Sequence, residues 1–230
     1  MGWSPKYAVN AFLETLKLRH DSLNSPEPAS NEFISALAAG MSAQLIVEVS
    51  PNFSASTLAL AAAARQTGGR LICILPEPPK LDESNNCIDN SGLEDFVEFK
   101  VGDPLQLLPL YKNIDFSVVD CKTDNYFAFL QMLDVNPRKS MVVANNLVGG
   151  RKGMGGHVRG MKGAGAVRSV KHPIGKGMEV TMIGRSSEFG KKETRKTGVG
   201  RAKRPSRSNW IVKVDEESGE EHFFRLPRSP

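Results

Sequence analysis

Asp120 is the residue whose type and position in this sequence most favour chemistry. It ends the apolar run 116–120, FSVVD, which has the composition of a buried strand. A carboxylate at the carboxyl end of a strand in a parallel sheet faces the crevice where such sheets bind ligands. We therefore expect Asp120 to contact a bound molecule. The structural alternative is that Asp120 caps a helix starting at Asp124.

A basic region is the second feature with a chemical meaning. Residues 150–208 contain 16 lysines and arginines but only three acidic residues, whereas the whole chain has a net charge of +5. Within it, two basic groups separated by ten residues have the form of a bipartite nuclear localisation signal. These groups consist of Lys191, Lys192, Lys203, Arg204 and Arg207. A basic loop precedes them, with Arg151, Lys152, Arg159, Lys162 and Arg168.

Such a region is typical of a surface that binds nucleic acid or an acidic protein. Phe189 is the one aromatic residue between positions 150 and 208, so stacking on bases has no support. A solvated tail without a partner is the competing interpretation.

Other catalytic patterns are absent from the sequence. The four histidines form no metal-spaced or triad-like cluster, and no GxSxG motif occurs. The segment 184–191 resembles a phosphate-binding loop, but its spacing is one residue too long and Lys192 stands where Ser or Thr is needed. Cys73 and Cys121 lie in apolar runs, which indicates buried, reduced thiols.

The elements that position these residues follow from five apolar runs. The runs are 44–50, 71–75, 97–101, 116–120 and 140–144. Predicted helices lie between them at 55–66, 81–90, 103–111 and 124–133, and two more precede them at 5–18 and 30–40. Buried strands that alternate with helices predict an α/β fold with a doubly wound parallel sheet. Beyond it, 167–173 and 178–183 predict an antiparallel hairpin.

The organisation of the chain follows from the same pattern. We expect an α/β domain with N-terminal helices at 1–184, a basic flexible segment at 185–208 and a terminal β-hairpin at 209–230. No apolar run is long enough to cross a bilayer. The N-terminal residues lack the pattern of a secretory signal, so we expect a cytoplasmic or nuclear location.

Five β/α units followed by a hairpin form a layout that resembles the class I S-adenosylmethionine (SAM) methyltransferases. The segment 116–126, FSVVDCKTDNY, is similar to the caffeoyl-CoA type of cation-dependent O-methyltransferase, where VDADKDNY is typical. The whole chain, including VEFKVGD and VVANNLVGGRKG, resembles more closely a plant family of unknown function within this superfamily. The resemblance implies a Rossmann-like, seven-stranded sheet.

The resemblance also implies SAM as a cofactor and suggests which residues would bind it. Glu48 keeps the acid of the first strand, although the loop after it, SPNFSAS, contains no glycine. Glu77 follows the second strand, where an acid would bind the ribose, and Asp103 follows the third, near the adenine. The predicted cofactor-binding residues are Glu48, Ser50, Asn52, Ser54, Ser56, Glu77 and Asp103. The serines serve equally well as an ordinary helix cap, and Asp103 does too.

This sequence lacks part of the metal site of the resembled O-methyltransferases. Ala144 stands where those enzymes have a second metal carboxylate, Asn145 matches their asparagine, and Thr123 replaces their lysine. One carboxylate and one amide are a poor site for Mg²⁺, so we expect no metal. Asp120 and Asn145 remain as the residues that would orient a methyl acceptor.

Two functions are therefore compatible with the sequence. The first is a SAM-methyltransferase-like protein whose catalytic activity is reduced, specialised or lost. The second is a non-catalytic protein that engages nucleic acid or an acidic partner through residues 150–208. The loop after the first strand bears on this choice, because Pro51 removes an amide donor that a SAM site would use.

Overall fold

The computed structural model describes most of the chain, in two compact units. The described residues are 2–22, 30–78, 88, 91–148, 151, 153, 166–184, 210–214 and 221–225. One unit comprises Met1–Lys191 and the other Lys192–Pro230. None of the helices within the described ranges has the length and apolar character needed to cross a membrane. The predicted helix 81–90 and the predicted flexible segment 185–208 lie outside the described residues, apart from Ile88.

The first unit contains a seven-stranded sheet in the order β3-β2-β1-β4-β5-β7-β6. Its strands are β1 (Leu45–Val49), β2 (Arg70–Leu75), β3 (Val97–Val101), β4 (Phe116–Asp120), β5 (Lys139–Asn145), β6 (Ala166–His172) and β7 (Met178–Gly184). Strands β1 to β5 are parallel, whereas β7 runs antiparallel between β5 and β6. The predicted α/β class, the parallel sheet and the hairpin that follows it are confirmed. In the second unit, β8 (Trp210–Val214) pairs with β9 (Glu221–Arg225), as predicted.

Helices cover both faces of the sheet. They are α1 (Pro5–Ser22), α2 (Ser30–Gly40), α3 (Ala55–Thr67), α4 (Pro104–Leu107) and α5 (Tyr126–Met132), with short 3-10 turns at Glu94–Phe96 and Leu108–Leu110. Side chains of α1, α2 and α3, among them Ala11, Ile34 and Leu60, pack in one apolar cluster. Phe129 and Leu130 of α5 pack in a second cluster. The sheet is therefore buried on both sides, which explains why its central strands are continuously apolar.

Two predicted helices differ from those observed. The predicted helix 103–111 is α4 followed by a 3-10 turn, because Pro109 has no N–H to continue an α-helix. The predicted helix 124–133 begins later, at Tyr126, after Asn125. The later start of α5 leaves a longer loop after β4 than the sequence pattern indicates.

The parallel register brings the ends of neighbouring strands together. Asp120 pairs with Asn145 across β4 and β5, and Val49 pairs with Ile74 across β1 and β2. Glu48 is the penultimate residue of β1, while Glu77 and Asp103 follow β2 and β3 by two residues. These four acidic residues therefore lie along the carboxyl edge of the sheet, as the sequence predicts.

Gly69, between α3 and β2, makes a close backbone contact that we expect to be essential for stability. A Cβ there would lie 2.7 Å from the carbonyl oxygens of Ala43 and Gln44. We expect Gly69→Ala to lower the free energy of unfolding by about 1–3 kcal/mol, because backbone atoms must move apart. Urea denaturation measures this, with Gly2→Ala as the control, since no atom lies within 4 Å of that position. Equal stability of the two variants would contradict the expected clash.

Candidate functional site

A polar cleft lies at the carboxyl ends of β1, β4 and β5. Its volume is about 250 Å³. Residues of α2, of the start of α3 and of three strand ends surround it. The lining residues are Asn31, Glu48, Ser54, Ala55, Ser56, Val118, Asp120, Lys122, Asn145 and Asn146. The cleft thus brings together Glu48, Ser54 and Ser56 of the predicted cofactor site with Asp120 and Asn145 of the predicted acceptor site.

Glu48 is a buried carboxylate at the base of this cleft, with only 1% of its surface exposed. The Ser56 hydroxyl donates a hydrogen bond to its Oε1, and the Cys73 thiol lies 3.4 Å from its Oε2. Burial raises the pKa of Glu48, and the charge of Asp120 raises it further, while the hydrogen bonds from Ser56, Thr57 and Cys73 oppose the shift. Burial and the neighbouring Glu48 also raise the pKa of the Cys73 thiol, so this cysteine stays protonated.

The serines after β1 divide into two roles. Ser54 is the N-cap of α3, where its side chain accepts from the Ser56 N–H while the Thr57 hydroxyl accepts from the Ser54 N–H. The cap interpretation therefore holds for Ser54, and the helix start directs the Ser56 hydroxyl toward Glu48. Ser50 is buried, and its hydroxyl donates to the carbonyl oxygen of Asn52. Asn52 as a residue is exposed. Neither Ser50 nor Asn52 lines the cleft.

Asp120 is held by two donors on one oxygen. Its Oδ1 accepts from the Lys122 N–H at 2.9 Å and from the Asn146 side-chain amide at 3.0 Å. Asp120 does not cap a helix, because α5 begins at Tyr126 and its N-cap is Asn125. The structural alternative for Asp120 is therefore wrong, and its carboxylate lines the cleft instead.

Asn146 is a residue of the site that the sequence pattern did not single out. It follows β5 with a φ of 59°, in the left-handed region that asparagine tolerates better than most residues. Its backbone N–H donates to Oδ1 of Asn145 at 3.0 Å, and both asparagines are buried. A second asparagine after a strand, where a turn is needed, is the signal that could have identified it.

Ala144 lies on the other side of the sheet from Asp120. It is 1% exposed and packs with Val119 and Val142 in the apolar cluster of α5. A carboxylate side chain at position 144 would therefore point into that cluster and not into the cleft. Within the described ranges, no group of three or more His, Cys, Asp or Glu side chains could hold a metal ion.

The remaining predicted cofactor residues lie outside the cleft. Glu77 is exposed, in the bend after β2. Asp103 is exposed and caps α4, because its Oδ1 accepts from the Leu105 N–H at 2.9 Å. The cap interpretation of Asp103 is thus confirmed.

Arg151, from the predicted basic loop, is bound within the protein. Its guanidinium lies 5.5 Å from the centre of the Tyr126 ring and donates to the carbonyl oxygens of Cys121 and Thr123. It therefore fixes the loop between β4 and α5. Arg168 is exposed on β6. The other predicted basic residues lie outside the described ranges: Lys152, Arg159, Lys162, Lys191, Lys192, Lys203, Arg204 and Arg207.

Comparison with solved structures identifies the fold. A methyltransferase from Geobacter sulfurreducens matches with a TM-score of 0.54 and 19% identity, over 77% of this chain and 88% of that one. An O-methyltransferase from Streptomyces achromogenes involved in tomaymycin synthesis, in complex with SAM, matches with a TM-score of 0.51 and 19% identity, over 76% and 89%. An O-methyltransferase from Bacillus cereus in complex with S-adenosylhomocysteine (SAH) matches with a TM-score of 0.51 and 18% identity, over 75% and 90%.

Comparison of sequences gives a family. A family profile described as "Protein of unknown function (DUF1442)" matches residues 1–226. No curated protein sequence matches the chain significantly. At these identities the structural matches establish a Rossmann-like methyltransferase fold, and the chemistry must be argued from the cleft.

Proposed function

We propose that this chain, which belongs to the DUF1442 family of proteins of unknown function, is a SAM-binding, methyltransferase-like protein. The observation that carries this proposal is the position of the cleft, at the carboxyl ends of β1, β4 and β5. Open parallel sheets bind ligands at this edge. Two structures of the same fold contain SAM or SAH, which supports the same class of ligand.

The donor set of the cleft fits the amino-acid end of SAM. That end carries an ammonium and a carboxylate, and the cleft offers the Glu48 carboxyl group for the first and the N-terminus of α3, at Ser54 and Ala55, for the second. At about 250 Å³ the cleft is smaller than the pockets of roughly 300–1,000 Å³ that enclose whole ligands, so it would hold only part of the molecule. The nucleoside part would then lie further along the edge, toward Glu77 and Asp103.

SAM supplies a methyl group on a positively charged sulfur, and the protein must position an acceptor in line with it. We propose that Asp120 and Asn145 orient that acceptor at the end of the cleft formed by β4 and β5. Positioning and exclusion of water would then provide most of any rate acceleration. The residues do not fit the divalent metal of the resembled O-methyltransferases, since Ala144 packs in an apolar cluster.

Calorimetric titration of the full chain with SAM and with SAH tests this proposal. We expect both to bind, and we expect Ala55→Leu to weaken binding at least about tenfold, because the larger side chain fills the cleft. Gln131→Leu is the matched control, since Gln131 is exposed on α5 and does not line the cleft.

Two results would contradict the proposal. Failure of the wild-type chain to bind either compound would exclude SAM as the ligand. Equal binding by Ala55→Leu and wild type would place the ligand outside this cleft.

A further inference from the structure

The side-chain amide of Asn146 lies where a cation would meet Asp120. The amide nitrogen is 3.0 Å from Oδ1 of Asp120, and the Lys122 N–H is 2.9 Å from the same oxygen. Two N–H donors therefore direct partial positive charge at one carboxylate oxygen. A bound metal ion makes a contribution of the same sign, though larger, to its carboxylate ligands.

Hydrogen bonds of Asn145 and Asn146 also compete with coordination of a metal ion by these two residues. Asn146 presents its NH₂ group to Asp120, and an amide nitrogen that donates a hydrogen bond does not coordinate a hard cation. The Oδ1 of Asn145, which could coordinate one, already accepts from the Asn146 N–H at 3.0 Å. One residue thus engages both the carboxylate and the amide oxygen that a cation would use.

We propose that Asn146 replaces a metal ion beside Asp120 and is the residue that excludes divalent cations from this cleft. The inference rests on the proposed function and extends it. It explains how the end of the cleft formed by β4 and β5, where the methyl acceptor would bind, is organised without a metal ion. Asn146 is a positioning residue: it holds Asp120 through Oδ1, and Asp120 lines the cleft.

The test is a gain of metal binding on Asn146→Asp. This change is isosteric, and aspartate tolerates the left-handed backbone nearly as well as asparagine. It converts the donor beside Asp120 into a second carboxylate, and two carboxylates form a hard-cation site. We expect electron paramagnetic resonance of Mn²⁺ to show binding by Asn146→Asp at least about tenfold tighter than by wild type. The double variant Asn146→Asp/Asp120→Asn should lose that gain.

Three outcomes would overturn the proposal. They are tight binding of Mn²⁺ by the wild type, no gain in a folded Asn146→Asp variant, and a gain that persists without the Asp120 carboxylate. If repulsion between the carboxylates unfolds Asn146→Asp, Asn146→His is titrated with Zn²⁺ instead, since a neutral imidazole adds a ligand without a like charge. The titrations contain no SAM, so their failure overturns the role of Asn146 and leaves the SAM proposal to its own test.

Discussion

Incubation of the full chain with SAM and a catechol is expected to yield no methylated product, whether Mg²⁺ or EDTA is present. A phenolic hydroxyl has a pKa of about 10 and stays protonated near neutral pH unless a cation or a base assists it. Asp120 already accepts two hydrogen bonds, and Ala144 packs among apolar side chains. Thr123 stands where the resembled enzymes have a lysine. The second metal carboxylate and the lysine of the resembled enzymes therefore have no counterpart at positions 144 and 123.

Product analysis by mass spectrometry measures this, with a caffeoyl-CoA-type O-methyltransferase as the positive control. Turnover that disappears with EDTA and returns with Mg²⁺ would show the reasoning to be wrong. In that case another carboxylate must complete a metal site. Asp124 is the candidate, because it is exposed and follows β4 by four residues, although its carboxylate would have to leave the Arg151 guanidinium 3.8 Å away. Asp120→Ala should then abolish the activity.

The fold was predictable because each strand and helix is determined by a short segment of the sequence. Each central strand is a short apolar run that can be buried on both faces, such as Leu71–Leu75, and each is followed by helix-forming residues. A parallel sheet of such strands has one carboxyl edge, so the shared position of Glu48 and Asp120 followed directly. Helix ends were less predictable, because single residues such as Pro109 decide them.

The detail of the cleft was not predictable, because it depends on the direction of individual side chains. Asn145 and Asn146 are identical in type, and only the left-handed turn after β5 brings the amide of Asn146 to Asp120. In the same way, the start of α3 decides that Ser54 caps the helix while Ser56 bonds to Glu48. Arg151 belonged to a run of charge that predicts a solvent-exposed loop, yet it binds backbone carbonyls. The contacts of Asn146 and Arg151 join residues 26 or more positions apart in the sequence.

The buried Glu48 carboxylate should make the stability of the protein fall as the pH rises. Burial raises its pKa above the ordinary value of 4.5, so the folded chain keeps a proton that the unfolded chain releases. Below about pH 4.5 both states hold the proton and no free energy is lost. As the pH rises from there through the raised pKa of the folded state, the free energy of unfolding falls, by about 1.4 kcal/mol for each pKa unit of the shift.

Glu48→Gln is expected to remove this loss, because glutamine stays neutral and its Oε1 can still accept from Ser56. Urea denaturation at about pH 4 and about pH 8 measures the difference between variant and wild type at each pH. We expect the variant to gain stability relative to wild type at the higher pH. The exposed Glu94→Gln variant is the control and should not change with pH in this way. If the two differences for Glu48→Gln are equal, Glu48 ionises in the folded chain at no greater cost than in the unfolded one. Its contacts with Ser56 and Cys73 would then compensate fully for its burial and for the nearby charge of Asp120.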